Sequence, residues 1–184
     1  MSEKVIKAAL LGLGTVGNGV YKVLKIQKEE MEKKIGAVVR VEKILVRNIK
    51  KAAAKVEDPS VLTNDWKAVL EDPSIEIIIE VMGGFEPART YILEALRAGK
   101  HVVTANKDLV ASNGGELLDC AAEHQCDFLF EAAVAGGIPI IRPLKQCLAG
   151  NHIQEVIGIV NGTTNFILTK MTQEGMEFSE ALAL

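Results

Sequence analysis

Cysteine is scarce: only Cys120, Cys126 and Cys147 occur, an odd number with no C-x-x-C spacing. That excludes a disulfide framework, and their apolar surroundings make all three expected reduced core residues. The three histidines are scattered, which leaves a zinc site without support. Long apolar runs are missing too; none approaches the roughly 20 residues that cross a bilayer. The N-terminal "MSEKVIKAALLGLG" lacks signal-peptide order, because its apolar stretch is short and leads into glycines. A cytoplasmic protein with no membrane partner is therefore expected. Charge of one sign is also absent, since 21 basic residues face 24 acidic ones with no block of like charge. Such a balance offers no electrostatic footprint for nucleic acid.

What is present is apolar content, 48% of 184 residues, in a regular order. "VIKAALLG" reads as a strand running into glycines, and the stretch from Thr15 has Val16, Val20, Val23, Leu24, Gln27 and Met31 at helical spacing, as one long helix. "VVRVEKILVR" alternates and is β-branched, a second strand. "IKKAAAK" and "NDWKAVLEDPS" read as short helices, the latter with Asn64 as cap. "IEIIIEVMGG" is nearly continuous in Ile and Val, as in a strand covered on both faces. A helix follows with Pro87 in its first turn and Gly99 as its stop. "HVVTAN", "NGGELLDCAAEHQ" and "CDFLFEAAV" continue as strand, helix and strand. The alternation predicts a Rossmann-type, doubly wound α/β fold with a parallel sheet over residues 1–149. Residues 150–184 read as the incomplete start of a second, α+β domain: a strand in "IQEVIGIV", an "NGTTN" turn, a helix, and a last helix capped by Ser179.

Three features carry chemistry. Gly12, Gly14 and Gly17 form G-x-G-x-x-G between a strand and a helix. The first glycine permits the tight turn, the second lets a pyrophosphate approach the backbone, and the third lets helix and strand touch. At the end of the second strand, where NAD-binding folds place an acid, stands Arg47 with Lys50 nearby. A guanidinium fork there suits a 2′-phosphate, so NADP is the expected cofactor, with NAD as the alternative. Lys107 in "TANKDLV" falls in a loop at the carboxyl edge of the sheet, where it can reach a substrate oxygen and move a proton. "EAAVAGGIPI" is a Gly-rich connection whose carbonyls suit either a close-packed turn or a cation.

Together "LLGLGTVGNGV", "VMGG", "TANKDLV", "EAAVAGGIPI" and "GIVNGTTNFIL" resemble homoserine dehydrogenase over essentially the whole chain. The resemblance implies reversible hydride transfer between L-aspartate 4-semialdehyde and L-homoserine with NADPH or NADH, in threonine, methionine and isoleucine biosynthesis, by a homodimer. It implies that Leu13, Thr15 and Val16 belong to the cofactor turn, although phenylalanine is frequent where Leu13 stands. Arg47 would meet the 2′-phosphate, Gly83, Thr104 and Lys107 would line the crevice, and Lys107 would lie between nicotinamide and substrate. It further implies a sodium site at Glu131, Val134, Gly136 and Ile138, largely through main-chain oxygens, and a joining segment at Asn161, Gly162 and Thr163. The family's substrate-gripping glutamate and its proton-transferring aspartate and second lysine have no counterpart before Leu184, so these 184 residues alone are expected to turn over little or nothing. A non-catalytic NADP-binding module, or another two-domain dehydrogenase acting on sugars or aspartate, are the competing readings; "NGTTN" and "TANK" argue against the second.

Overall fold

Val5–Leu11 form β1, the strand on which the sheet is built; the structure, a computed structural model, describes residues 4–159 and 161–184. β2 (Val38–Leu45) and β4 (Ile77–Glu80) flank β1, with β3 (Leu62–Thr63) outside β2, and β5 (His101–Thr104) and β6 (Phe128–Leu129) beyond β4. All pairings are parallel and the order is β3-β2-β1-β4-β5-β6, so the chain winds outward from β1 in two directions. The expected doubly wound sheet is present. Its order reverses between β1 and β4, and such a switch point parts the loops at the strands' carboxyl ends.

Alternation along the strands supplies a core on each face. Leu11, Ile78 and Val102 pack with Ile92 and Leu96 of α5 (Ala88–Arg97) and Leu109 and Leu117 of α6 (Lys107–Glu123). Leu10 and Ile44 face the other way, toward Val20 and Tyr21 of α1 (Thr15–Ile26) and Ala52 of α3 (Ile49–Ala53). Lys100 is buried at the start of β5, and its ammonium donates to the carbonyls of Asp72 (2.7 Å) and Ile75 (2.8 Å). Burial pulls its pKa below the ordinary lysine value.

Several local expectations are corrected. The single helix after the glycine turn is two, α1 and α2 (Lys28–Ile35), parted at Gln27, whose backbone leaves the helical region (φ −95°, ψ 12°). α2 buries no residue, and Val16 and Val23 are about half exposed, so no core contact holds the two on one axis. α4 (Trp66–Leu70) is capped by Asp65, not Asn64: the Asp65 carboxylate accepts from the Lys67 amide at 2.9 Å. α6 begins at Lys107, six residues before the expected Asn113, because Asn106 caps it. β6 is two residues long and passes into a 3-10 turn, Glu131–Ala133. Cys120 is buried as expected, whereas Cys126 is half-buried and Cys147 exposed; all three are free thiols.

Two compact units divide at Val134/Ala135, ahead of the expected boundary at 149/150. The left-handed backbone of Ala135 (φ 55°) and Gly136 (φ 61°) turns the chain there. In the second unit Pro143–Cys147 make one π-helical turn, α7 spans Gly162–Gln173 and α8 spans Phe178–Ala183. Residues 152–159 contain no strand, and Ile157 and Ile159 are 85% and 78% exposed. A strand needs a hydrogen-bonding neighbour, and its apolar alternation does not supply one. Val160 of the expected strand lies outside the described residues. "NGTTN" is the start of α7 rather than a turn before it: Asn161 accepts from the Thr164 amide at 2.8 Å. Glu177 caps α8 in a reciprocal box with Glu180, where Ser179 was expected.

Ile78 is fully buried between β1 and β5. Ile78→Ala is expected to lower unfolding free energy by about 3 kcal/mol, read from the urea midpoint at unchanged slope. A loss under about 1 kcal/mol would mean that this layer is loosely packed.

Candidate functional site

The loops parted at the β1/β4 switch enclose a cleft of about 500 Å³. Its floor is the turn after β1. Gly12 has φ +100°, and a Cβ there would stand 3.1 Å from the Val81 carbonyl and 3.2 Å from the Met82 Cα. A Cβ on Gly17 would lie 2.1 Å from the Gly12 carbonyl oxygen, so α1 meets the turn backbone to backbone. Gly14 differs: nothing stands within 4 Å of its Cβ position, and it faces the cleft. Gly14 is also the N-cap of α1, with no side-chain cap and no acid in the first turn. Open space, free amides and the positive end of the helix dipole meet at one point, which fits a pyrophosphate.

One wall is cationic. Arg47 and Asn48 line it just past β2, followed by Lys51, Ala52 and Lys55 from α3 and the turn after it. Lys55 also donates to the Leu13 carbonyl at 3.0 Å, tying this wall to the glycine turn. Lys50, expected beside Arg47, does not line the cleft. Successive helical residues are about 100° apart, so Lys51 faces the cleft where Lys50 leaves it, and Lys55 reaches it from the turn after α3.

The opposite wall comprises Val81, Met82, Gly83, Glu86, Pro87 and Tyr91. Thr90 donates its hydroxyl to Glu86 and holds that carboxyl below its ordinary pKa, so the wall carries negative charge. Tyr91 stacks on Trp66, ring centroids 4.4 Å apart, and the Trp66 indole donates to Glu94.

Of the expected site residues, Gly12, Leu13, Gly14, Arg47 and Gly83 line this cleft. Thr15 and Val16 form the exposed first turn of α1 outside its lining, and Gly17 is buried beneath it. Thr104, expected at the crevice wall, is 1% exposed, and its hydroxyl is committed to Glu80 at 2.6 Å. Lys107 does not line the cleft and is not in a loop; it is the exposed first residue of α6. Glu131 and Val134 end the first unit, and Gly136 and Ile138 begin the second. Among the described residues no cluster of His, Cys, Asp or Glu is arranged to hold a metal. None of the described helices is long and apolar enough to cross a membrane.

The family model "Homoserine dehydrogenase, NAD binding domain" matches residues 12–131, and the model "Homoserine dehydrogenase" matches residues 139–184. The chain belongs to the homoserine dehydrogenase family. The homoserine dehydrogenase of Bacillus subtilis is 48% identical over 179 residues, 97% of this chain and 41% of its own length. The solved homoserine dehydrogenase of Thiobacillus denitrificans is 46% identical with a TM-score of 0.91, over 98% of this chain and 42% of that one. A hyperthermophilic archaeal homoserine dehydrogenase, solved in complex with NADPH, is 28% identical with a TM-score of 0.78, over 97% of this chain and 60% of its own. This chain thus spans 41% of the Bacillus relative, and its residues 12–131 correspond to the family's NAD-binding domain.

The glycines separate structure from binding. Gly17→Ala is expected to destabilise the fold by about 3 kcal/mol or more, because backbone must move. Gly14→Ala is expected to leave stability within about 1 kcal/mol while weakening dinucleotide binding at least roughly tenfold, by filling the space a pyrophosphate requires. Urea unfolding beside a cofactor titration checks both. Undiminished binding by Gly14→Ala would remove Gly14 from the site.

Proposed function

We propose that this chain is the cofactor-binding part of an NADP-preferring homoserine dehydrogenase, interconverting L-aspartate 4-semialdehyde and L-homoserine in threonine, methionine and isoleucine biosynthesis. The observation that carries the reading is one cleft in which the open position at Gly14 adjoins a wall of three cations, Arg47, Lys51 and Lys55. The α1 N-terminus would hold the pyrophosphate. Arg47 would pair with a 2′-phosphate, with Lys51 and Lys55 adding charge on the same side, and no acid at the end of β2 opposes it.

The nicotinamide cofactor, when bound, supplies or accepts a hydride at the substrate carbon. This chain's residues position it and manage the proton. Lys107, at the carboxyl edge of the sheet on the first turn of α6, is proposed to polarise the aldehyde oxygen and to deliver the proton that completes the alcohol. The same proposal includes a cytoplasmic homodimer and a bound sodium ion. The Gly-rich turn at Ala135–Gly137 offers main-chain oxygens, which suit a hard monovalent cation better than a transition metal.

Trp66 is the only tryptophan and stacks on a residue of the cleft wall, so energy transfer to a reduced nicotinamide reports binding. NADPH is expected to bind more tightly than NADH. Arg47→Ala is expected to weaken NADPH by roughly 10- to 100-fold, the loss of one or two charge-assisted hydrogen bonds, and to change NADH by less than about threefold. Equal or tighter NADH binding, or an Arg47→Ala variant that holds NADPH as well as the parent, would overturn the NADP reading.

A further inference from the structure

Glu80 ends β4 with no exposed surface. A buried carboxyl group is unfavourable unless it is hydrogen-bonded, and here both oxygens accept. Oε1 accepts from the amides of Met82 (2.8 Å) and Gly83 (3.3 Å), and Oε2 accepts from the Thr104 hydroxyl (2.6 Å). Thr104 Oγ1 in turn accepts from the Asn106 amide (3.0 Å), and Asn106 Nδ2 donates to the Gly84 carbonyl (2.6 Å). The peptide joining Gly83 to Gly84 closes this into a ring. Met82 and Gly83 line the cofactor cleft. Asn106 caps α6 and directly precedes Lys107.

The ring addresses a specific weakness. Gly83 (φ 71°) and Gly84 (φ 76°) are consecutive left-handed glycines, a turn with much freedom to lose. Hydrogen bonds enter it from both sides, from Glu80 below and from Asn106 beside it. The two carboxyl oxygens accept from all three donors, whereas glutamine would replace one of them with a donor amide group. We propose that Glu80 is a positioning residue: through Thr104 and Asn106 it holds the Met82–Gly84 wall of the cleft in register with the start of α6 that carries Lys107. This rests on the reading that the cleft takes a nicotinamide dinucleotide.

The test titrates NADPH into the full 184-residue chain and its E80Q, T104V and T104S variants, with Trp66 energy transfer for affinity and the emission maximum of bound NADPH for its surroundings. E80Q and T104V are expected to weaken binding about tenfold or more and to shift that emission, while T104S, which keeps the hydroxyl, stays within about twofold of the parent. Parent-like binding and emission by E80Q and T104V would overturn the proposal, as would a T104S loss equal to that of T104V. If E80Q loses its folded circular dichroism, the T104V and T104S pair decides. A parent chain that binds neither NADPH nor NADH defeats the cleft reading and this proposal together; a parent that binds, with variants unchanged, defeats only the role of Glu80.

Discussion

The first unit depends on a single backbone contact, in which α1 approaches the turn after β1 so closely that no side chain fits between Gly17 and the Gly12 carbonyl. The approach aims the α1 N-terminus into the gap between β1 and β4. It leaves Gly14 bare at the point where the helix's free amides converge. A side chain at position 17 would push the helix out and remove the anion site with it. Glycine is therefore present at 12, 14 and 17 for different reasons: a left-handed turn, an open approach and a packing contact.

Around this contact the two sides of the cleft are built differently. The β2 side supplies charge on arginine and lysine stems, with Lys55 anchored to the glycine turn. The β4 side is held by hydrogen bonds from the buried Glu80 and from Asn106, and braced further out by the Trp66–Tyr91 stack. Cations recruit and select an anionic ligand at long range, whereas a fixed turn orients what has arrived. That arrangement suits a dinucleotide whose adenosine and nicotinamide ends flank a central pyrophosphate.

The fold of the first unit was legible because each strand pattern is short, apolar and bounded by glycine or a helix cap. The glycine turn could likewise be read directly, and Arg47 lines the cleft. Helix boundaries were less legible where a side chain chose between neighbours, as Asp65 over Asn64 and Asn106 over the later Asn113. The second unit was read less well, since alternation in "IQEVIGIV" records a capacity to pair that only a neighbouring strand can realise. Lys50 was taken for Lys51 because distance along the chain does not reveal which way a helical residue points.

Sequence alone determined the strand-helix alternation of the first unit, the glycine turn and the sign of charge after β2, all of which depend on local backbone freedom and side-chain chemistry. Tertiary structure decided which residues meet: Lys51 and Lys55 at the cleft, Thr104 turned inward, and Glu80 joined to residues more than 20 positions away. Glu80 is the one polar residue of β4. Its role exists only because parallel pairing sets β4 beside β5 and brings Thr104 within hydrogen-bond reach.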